Sequence, residues 1–314
     1  MLRIRSHHVV QGAAFFLTAL FLLFAAASVF RAGGIRHEEI PPKPEAGKEQ
    51  LVIATIPERN VFEMRKQYQA VSDYLSNELG ISIKLKTLAN YKVVIEEFQN
   101  GDSDAAFLGS FDYVVAHLLN GAEVVARPEL LDGASTYKGL IFVRSDSGIH
   151  TPEHMKGKTL VLVDRYTTAG YLFPLKYFKE NGVENPESFF KKVYFAGSHD
   201  AAVIAVLRGD ADVGACKDTV YRQLEGELEG LSGKLTILTS GREVPSNAFV
   251  VNGSMNPHMR ERIEQALLAM DRTADGKRAL EKFRARRFLH TTDADYAGVN
   301  ELVEFLGLDL RAFQ

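Results

Sequence analysis

Two adjacent hydroxyl side chains, a small residue and a glycine meet in Thr167-Thr168-Ala169-Gly170. The apolar run Thr159-Leu160-Val161-Leu162-Val163 precedes them and reads as a short buried strand. Leu172-Phe173-Pro174-Leu175-Lys176-Tyr177-Phe178 follows and reads as a helix. The first amides of a helix have no intrahelical acceptors, and the helix dipole is positive at that end. A strand passing through this stretch into a helix is therefore a seat for a small oxyanion. Thr167 and Thr168 can each donate a hydroxyl hydrogen bond, and the amides around Thr168, Ala169 and Gly170 add backbone donors. Gly170 lets the chain approach a ligand without a Cβ in the way. The same residues equally suit a plain capped helix start, where threonine is common.

Two further positions carry donors at strand-to-helix turns. Ser110 follows Gly109 and suits a helix cap, an anion donor, or both. His199 follows Gly197-Ser198 and precedes an apolar helix, which suits either a capping or surface histidine or a ligand donor. Ser198 and His199 are sequence neighbours, and no acidic residue or metal cluster can be assigned to orient them. Nucleophilic catalysis needs a base in reach and a group that orients it, so an enzyme is not the expected reading. No cofactor and no metal is expected.

The elements that must position these residues alternate. Leu51–Thr55 is a strand and Val61–Leu79 a helix, with Tyr68, Val71, Leu75 and Leu79 at helical spacing and Gly80 as its C-cap. Ile81–Thr87 alternates as a half-buried strand. Val93–Gln99 is a short helix, Asp104–Leu108 a strand, Phe111–Asn120 a helix and Glu123–Ala126 a strand. Alternation of this kind implies a parallel-sheet α/β architecture. A second series runs through Lys138–Arg144, Thr159–Val163, the helix after Gly170, Lys192–Phe195, Ala201–Arg208, Ala211–Ala215 and Lys234–Leu238. Gly226–Gly233 reads as a loop or frayed helix. Ala248–Val251 resembles Leu140–Val143 in character, and the remainder reads as helical: Met259–Met270, Thr273–Arg284 and Ala297–Leu306. Two α/β series joined by two similar strands suggest two lobes with two crossings, and such folds bind ligands in the cleft at the carboxyl ends of strands.

Composition bounds the rest. A chain of 314 residues with 46% hydrophobic and 25% charged residues is ordinary for a globular protein. A net charge of −3 without a dense basic stripe gives no sign of a nucleic-acid partner. The single cysteine, Cys216, rules out an intrachain disulfide and a cysteine-rich zinc site. Arg3 and Arg5 precede an uncharged stretch from Ser6 to Phe30, followed by Ala25-Ala26-Ala27-Ser28 at its end. Residues 1–34 are thus a signal peptide or a membrane anchor, with residues 9–30 long enough to span a bilayer if uncleaved. The charge balance favours an exported, periplasmic body. Residues 35–50, with Pro41, Pro42 and Pro44, read as a tether.

Several segments together resemble the PhnD-like family, the periplasmic phosphate-, phosphite- and phosphonate-binding components of ABC transporters. The family's ligand loop typically reads Ser-Thr-Ser-Gly-Tyr-Leu-Val-Pro, and Thr167-Thr168-Ala169-Gly170-Tyr171-Leu172-Phe173-Pro174 is similar to it. Ala106-Phe107-Leu108-Gly109-Ser110-Phe111-Asp112-Tyr113 resembles its Gly-Pro-Leu-Ser-Tyr turn. Arg144–Ile149, Met155–Lys158, Gly197-Ser198-His199-Asp200 and Gly209–Ala215 follow in the family's order, and the likeness covers about Leu51 to Leu308.

The resemblance implies a two-lobed type II periplasmic-binding-protein fold. Lobe one would be residues 51–138 plus 242–314, lobe two residues 139–241, with a hinge near Gly139–Arg144 and Pro245–Val250. It implies that His199 donates to the ligand's oxygens and that Tyr91 and Tyr137 wall the cleft. Ala169 stands where the family has serine, so one hydroxyl donor is missing. Family members that bind aminophosphonates place two acidic residues against the ammonium group. The corresponding positions here are about Thr219, next to Asp218, and Asn247, so the pair is not reproduced. The implied function is capture of a phosphorus oxyanion (phosphate, phosphite or a phosphonate) for delivery to an ABC permease. The alternative is a ligand-sensing periplasmic domain of the same fold acting through a partner signalling protein.

Overall fold

Strands whose every residue is buried lie at the centre of each of two sheets. Ala105–Leu108, Ala248–Val251 and Val213–Lys217 are all such runs, as expected where both faces of a sheet are covered. The computed structural model describes residues 50–313, which belong to one compact unit. The expected signal or anchor segment and the tether up to residue 49 lie outside the described residues. Among the described residues, no helix is long and apolar enough to cross a membrane.

The first lobe opens with β1 (Gln50–Thr55), α1 (Val61–Leu79), β2 (Ser82–Thr87), α2 (Tyr91–Asn100), β3 (Ala105–Leu108), α3 (Ser110–Asn120) and β4 (Glu123–Leu130). The chain crosses through β5 (Thr136–Tyr137) into β6 (Gly139–Arg144) and β7 (Thr159–Leu162). A turn at Thr168–Leu172 leads into α4 (Phe173–Glu180). Next come α5 (Pro186–Phe189), β8 (Lys192–Phe195), α6 (His199–Arg208), β9 (Val213–Lys217), α7 (Asp218–Glu227), α8 (Leu231–Lys234) and β10 (Leu235–Ser240). It returns through β11 (Val244–Pro245) to β12 (Ala248–Val251), α9 (Pro257–Ala269), α10 (Ala274–Phe283), β13 (Ala285–His290) and α11 (Ala297–Leu306).

The first sheet has the order β13-β4-β12-β3-β1-β2 and the second β10-β6-β9-β7-β8. β1 runs parallel to β2 and β3, and β7 parallel to β8 and β9, while β12 and β6 enter antiparallel. The core of the first lobe centres on Phe107, whose ring meets Tyr68 at 4.6 Å and Phe249 at 5.1 Å, both edge-on. Phe178 and Phe190, 5.1 Å apart, occupy the same place in the second.

Three expectations change. The crossing is the two-stranded ladder β5–β11, with Tyr137 opposite Val244 and Thr136 opposite Pro245. Gly139–Arg144 therefore belongs to the second sheet and Ala248–Val251 to the first, with the ladder as a separate two-stranded sheet. Gly226–Gly233 is the end of one helix and one turn of another. The stretch after Arg284 is not all helical: Ala285–His290 forms an edge strand on β4. Its two exposed arginines, Arg286 and Arg287, hide the alternation that would mark it.

The last helix does not sit on the first lobe alone. α11 packs on both α3 and α4, one from each lobe. Beyond it, the Phe313 ring lies 5.3 Å from both Phe111 and Tyr166, and the Tyr166 hydroxyl donates to the Phe313 carbonyl at 2.6 Å. On the opposite side of the hinge, the His199 N–H donates to the Glu58 carbonyl at 3.0 Å and the Asn60 N–H to Asp200 at 2.9 Å. The two lobes are thus drawn together over the cleft.

Candidate functional site

Strand ends and the loops that follow them, from both lobes, deliver polar groups to a single chamber. Its walls are Ile56, Glu58, Tyr91, Gly109, Asp112, Tyr137, Thr167, Thr168, His199, Lys217 and Asn247, closed around a cavity of only about 10 Å³. Five of the residues singled out from sequence, Tyr91, Tyr137, Thr167, Thr168 and His199, therefore come together from segments far apart in the chain.

The Thr168–Leu172 turn is wider than an α-turn. The Leu172 N–H reaches the Thr167 carbonyl and the Phe173 N–H the Thr168 carbonyl, each five residues back. Such π-type turns leave more amides free at their start than an α-helix does, and they recur at functional sites. The two threonines then part company. The Thr167 hydroxyl donates to the Asp164 carbonyl at 2.7 Å and so holds the turn rather than offering a proton to the chamber. Thr168 Oγ1 is buried with no well-aligned hydrogen-bond partner, and it lies close enough to the Tyr137 hydroxyl to offset part of the rise in that phenol's pKa caused by burial.

Ala169 and Gly170 are buried behind the threonines and do not line the chamber. Gly170 is needed for packing: a Cβ there would sit 2.4 Å from the Val163 side chain. Its expected role of admitting a ligand is not the one this geometry gives it.

His199 is the first residue of α6, capped by Ser198, whose hydroxyl accepts from the Ala201 N–H. Its Nδ1 accepts a hydrogen bond from the Lys217 N–H at 3.1 Å. An accepting Nδ1 leaves the ring proton on Nε2, so the imidazole is a neutral donor. Burial drives its pKa down to about 4, with Lys217 assisting against the pull of Glu58.

Lys217, absent from the sequence-derived set, ends strand β9 inside the cleft. Its Nζ donates to Glu58 Oε1 at 2.7 Å and to Asn247 Oδ1 at 2.9 Å, and Asn247 Nδ2 donates to Glu58 Oε2 at 2.9 Å. The ammonium also lies 4.2 Å from the centre of the Tyr137 ring. Burial alone would raise the Glu58 pKa, but Lys217 beside it holds the carboxyl below its ordinary value. This ion pair joins the lobes and leaves neither charge free.

On the first-lobe side, Tyr91 opens α2, behind the cap Asn90, and its hydroxyl is buried without a partner. Ser110 is also buried, but behind the wall rather than in it. Its hydroxyl donates to the Pro245 carbonyl at 2.7 Å and lies 3.0 Å from the Tyr137 hydroxyl, so it fixes Tyr137 across the hinge. Asp112, at the start of the same helix, accepts from the Gly109 N–H through Oδ2 at 3.0 Å. Gly109 makes room for this contact, since a Cβ there would lie 2.8 Å from that oxygen. Asp112 Oδ1 is buried without a partner. Burial first, and then the nearby Asp164, raise its pKa well above the carboxylate range. Asp218 does not reach the chamber: it accepts from the Lys138 N–H at 2.9 Å and pairs with Arg222 at 2.9 Å. Cys216 is fully buried in β9, where burial raises its thiol pKa and leaves it inert.

A second, larger pocket opens outward from the same cleft. It shares Glu58, Lys217 and Asn247 with the chamber and extends past Arg59, Thr219, Arg222 and Arg284, with a volume of about 410 Å³. Among the described residues, no cluster of side chains could hold a metal ion.

Comparison with known proteins places this geometry. The sequence model of a family described as the periplasmic substrate-binding protein of phosphonate ABC transporters matches residues 53–296. A phosphate-import protein of Mycolicibacterium smegmatis is 27% identical, with 98% of each chain covered. A probable phosphite-binding protein of an ABC transporter from Prochlorococcus marinus is 24% identical, over 80% of this chain and 88% of its own. The solved structure of the Prochlorococcus protein PhnD1 in complex with methylphosphonate superposes with a TM-score of 0.74 at 22% identity. It covers 82% of this chain and 98% of that one, and shows the same two-lobed fold.

Proposed function

The chain belongs to the family of periplasmic substrate-binding proteins of phosphonate ABC transporters, and from that premise we propose that its interlobe chamber captures a small phosphorus oxyanion. Proteins of this family are exported binding components, not enzymes. The observation that carries the proposal is the pair of buried hydroxyls, Thr168 Oγ1 and Tyr91 OH, that face the chamber with no partner. Nature rarely leaves such groups unsatisfied. A tetrahedral oxyanion would accept from both, from His199 Nε2–H and from the free amides of the Thr168 turn. Charge-assisted hydrogen bonds of this kind are among the stronger ones, and micromolar binding needs only about 8 kcal/mol.

Phosphate, phosphite and methylphosphonate fit this reading better than an aminoalkyl phosphonate. Asn247 stands at one of the expected ammonium-facing positions, and Glu58, bonded to it, has both oxygens held by Lys217 and Asn247. Delivery to a permease would follow from closure of the two lobes around the hinge ladder. Residues 9–30 would then act either as the export signal or as an anchor that keeps the protein beside its permease.

The test is calorimetric titration of the protein with phosphate, phosphite, methylphosphonate and aminoethylphosphonate. At least one of the first three should bind. His199→Ala should weaken that binding by roughly 10- to 100-fold, the worth of one hydrogen bond to a charged group. An unchanged affinity would remove His199 from the site, and no binding of any of the four would overturn the ligand class.

A further inference from the structure

A buried carboxyl group in a chamber meant for an anion calls for its own explanation. Asp112 is 1% exposed. Its Oδ2 is occupied by the Gly109 N–H, whereas its Oδ1 is enclosed and has no partner. The helix cap accounts for one oxygen and not for the other. Among the described residues, the cation that acts on it is Lys217, which is already held by Glu58 and Asn247. His199 is neutral, with Nδ1 accepting from the Lys217 N–H. Asp164 adds negative potential from the Thr168 side, and Glu58 adds more from the loop after β1. Tyr91 and Tyr137, from α2 and β5, contribute only neutral hydroxyls.

No cation in this chamber is free to offset both an ionised Asp112 and a fully ionised ligand. Two like charges in contact at a shielded site are strongly repelled. One proton between them turns the repulsion into a short charge-assisted hydrogen bond. We propose that Asp112 and the bound anion share a single proton, and that this makes Asp112 the residue that selects the ligand. This rests on the reading of the chamber as the oxyanion site. The proton comes in on the ligand as P–OH or is already on Asp112 as the carboxylic acid, and in the complex it lies between the two oxygens. The class admitted is an oxyanion whose last ionisation falls near neutral pH, as that of a phosphate monoester does: hydrogen phosphate, phosphite or a monoalkyl phosphonate. Sulfate has the same shape and charge as the phosphate dianion but holds no proton at neutral pH. It binds only to the fraction of molecules in which Asp112 is itself protonated.

The experiment is titration of the full chain with phosphate, methylphosphonate, aminoethylphosphonate and sulfate, in buffers of different ionisation enthalpy that count protons exchanged. The wild-type protein should bind phosphate with a linked proton that varies across neutral pH, and sulfate with an affinity that falls relative to phosphate by about tenfold per pH unit once rising pH ionises Asp112. Asp112→Asn keeps an oxygen for the Gly109 N–H and supplies a permanent donor. It should bring sulfate to within about tenfold of phosphate and flatten the proton linkage. Sulfate affinity that does not fall relative to phosphate as pH rises, or Asp112→Asn with discrimination intact, would overturn the proposal while leaving the oxyanion site standing. Aminoethylphosphonate binding more than about tenfold tighter than methylphosphonate would also overturn it, because Asp112 would then be an ammonium acceptor. If none of the phosphorus anions binds, the reading of the site falls and this proposal with it. Should the variant fail to fold, the wild-type proton count and the sulfate comparison still decide.

Discussion

The inner chamber and the outer pocket share three walls, Glu58, Lys217 and Asn247, yet they differ in how their charged groups are engaged. In the chamber, Thr168 Oγ1, Tyr91 OH and Asp112 Oδ1 are buried with nothing to bond. In the outer pocket the charges are paired, Arg59 Nη2 with Glu227 and Arg222 with Asp218 and Asp132, although Arg59 Nε and Ser246 Oγ are buried without partners. An unsatisfied buried polar group costs about 1–3 kcal/mol, a cost that a bound ligand can return. Paired surface charges have little left to give. Binding free energy is therefore concentrated in the small space, and the large one serves as its approach.

Breaking the shared wall should have the largest effect. Lys217 and Glu58 come from opposite lobes and are largely enclosed, with side chains 7% and 14% exposed. Lys217→Met leaves Glu58 and Asn247 facing one another without the ammonium. Removing one partner of an enclosed ion pair costs about 3–5 kcal/mol, but here opening of the cleft lets Glu58 regain water. The cost should appear as a loss of ligand affinity of about 100-fold or more, with the denaturation midpoint moving much less. Small-angle scattering of the phosphate-saturated variant should show a larger radius of gyration than the wild type. Adding Glu58→Gln should recover most of the lost affinity. An affinity unchanged in Lys217→Met would mean that the ion pair is not what closes the chamber.

The elements of this wall were unequally legible. The α/β alternation, the Thr167–Gly170 turn and the strand-to-helix setting of His199 stand out because periodicity and turn chemistry are local. Lys217 did not, because a lysine after the apolar run Val213-Gly214-Ala215-Cys216 reads as a strand reaching water. Only the packing of the second lobe against the first turns it inward. Asp112 was hidden for a different reason. Three residues beyond Gly109, it is what an ordinary helix start contains, and its second oxygen acquires meaning only from the chamber around it. Ser110 and Gly170 show the converse. Both looked like ligand contacts, and both proved to support the wall from behind, one through Tyr137 and the other against Val163. A local motif marks a place where chemistry can happen but not which of its atoms are free.

The two threonines sharpen that last point within the chamber itself. Thr168→Ala removes a hydroxyl that has no other partner, so affinity for phosphate should fall by roughly 10- to 100-fold with little change in stability. Thr167→Ala removes a hydroxyl already given to the Asp164 carbonyl. It should cost about 1 kcal/mol of stability and change affinity by less than about threefold. Calorimetry and chemical denaturation on the two variants, side by side, would separate a ligand donor from a turn support. Equal losses of affinity would mean that the turn, not the hydroxyl, is what the anion needs.

The smallest effect should come from the outer pocket. Arg222 has a side chain about 50% exposed and pairs with Asp218 at 2.9 Å and Asp132 at 3.5 Å. Exposed pairs of this kind contribute about 0.2–1 kcal/mol. Arg222→Ala removes a positive charge from the approach to the chamber without touching its donors. Equilibrium affinity for phosphate should shift by less than about threefold. What changes should be the association rate at low salt, where a charge lining the route steers an anion, and the difference should vanish as salt screens it. Stopped-flow binding at two ionic strengths reads both quantities. A large, salt-independent loss of affinity in Arg222→Ala would place ligand contacts in the outer pocket and dissolve the division between the two spaces.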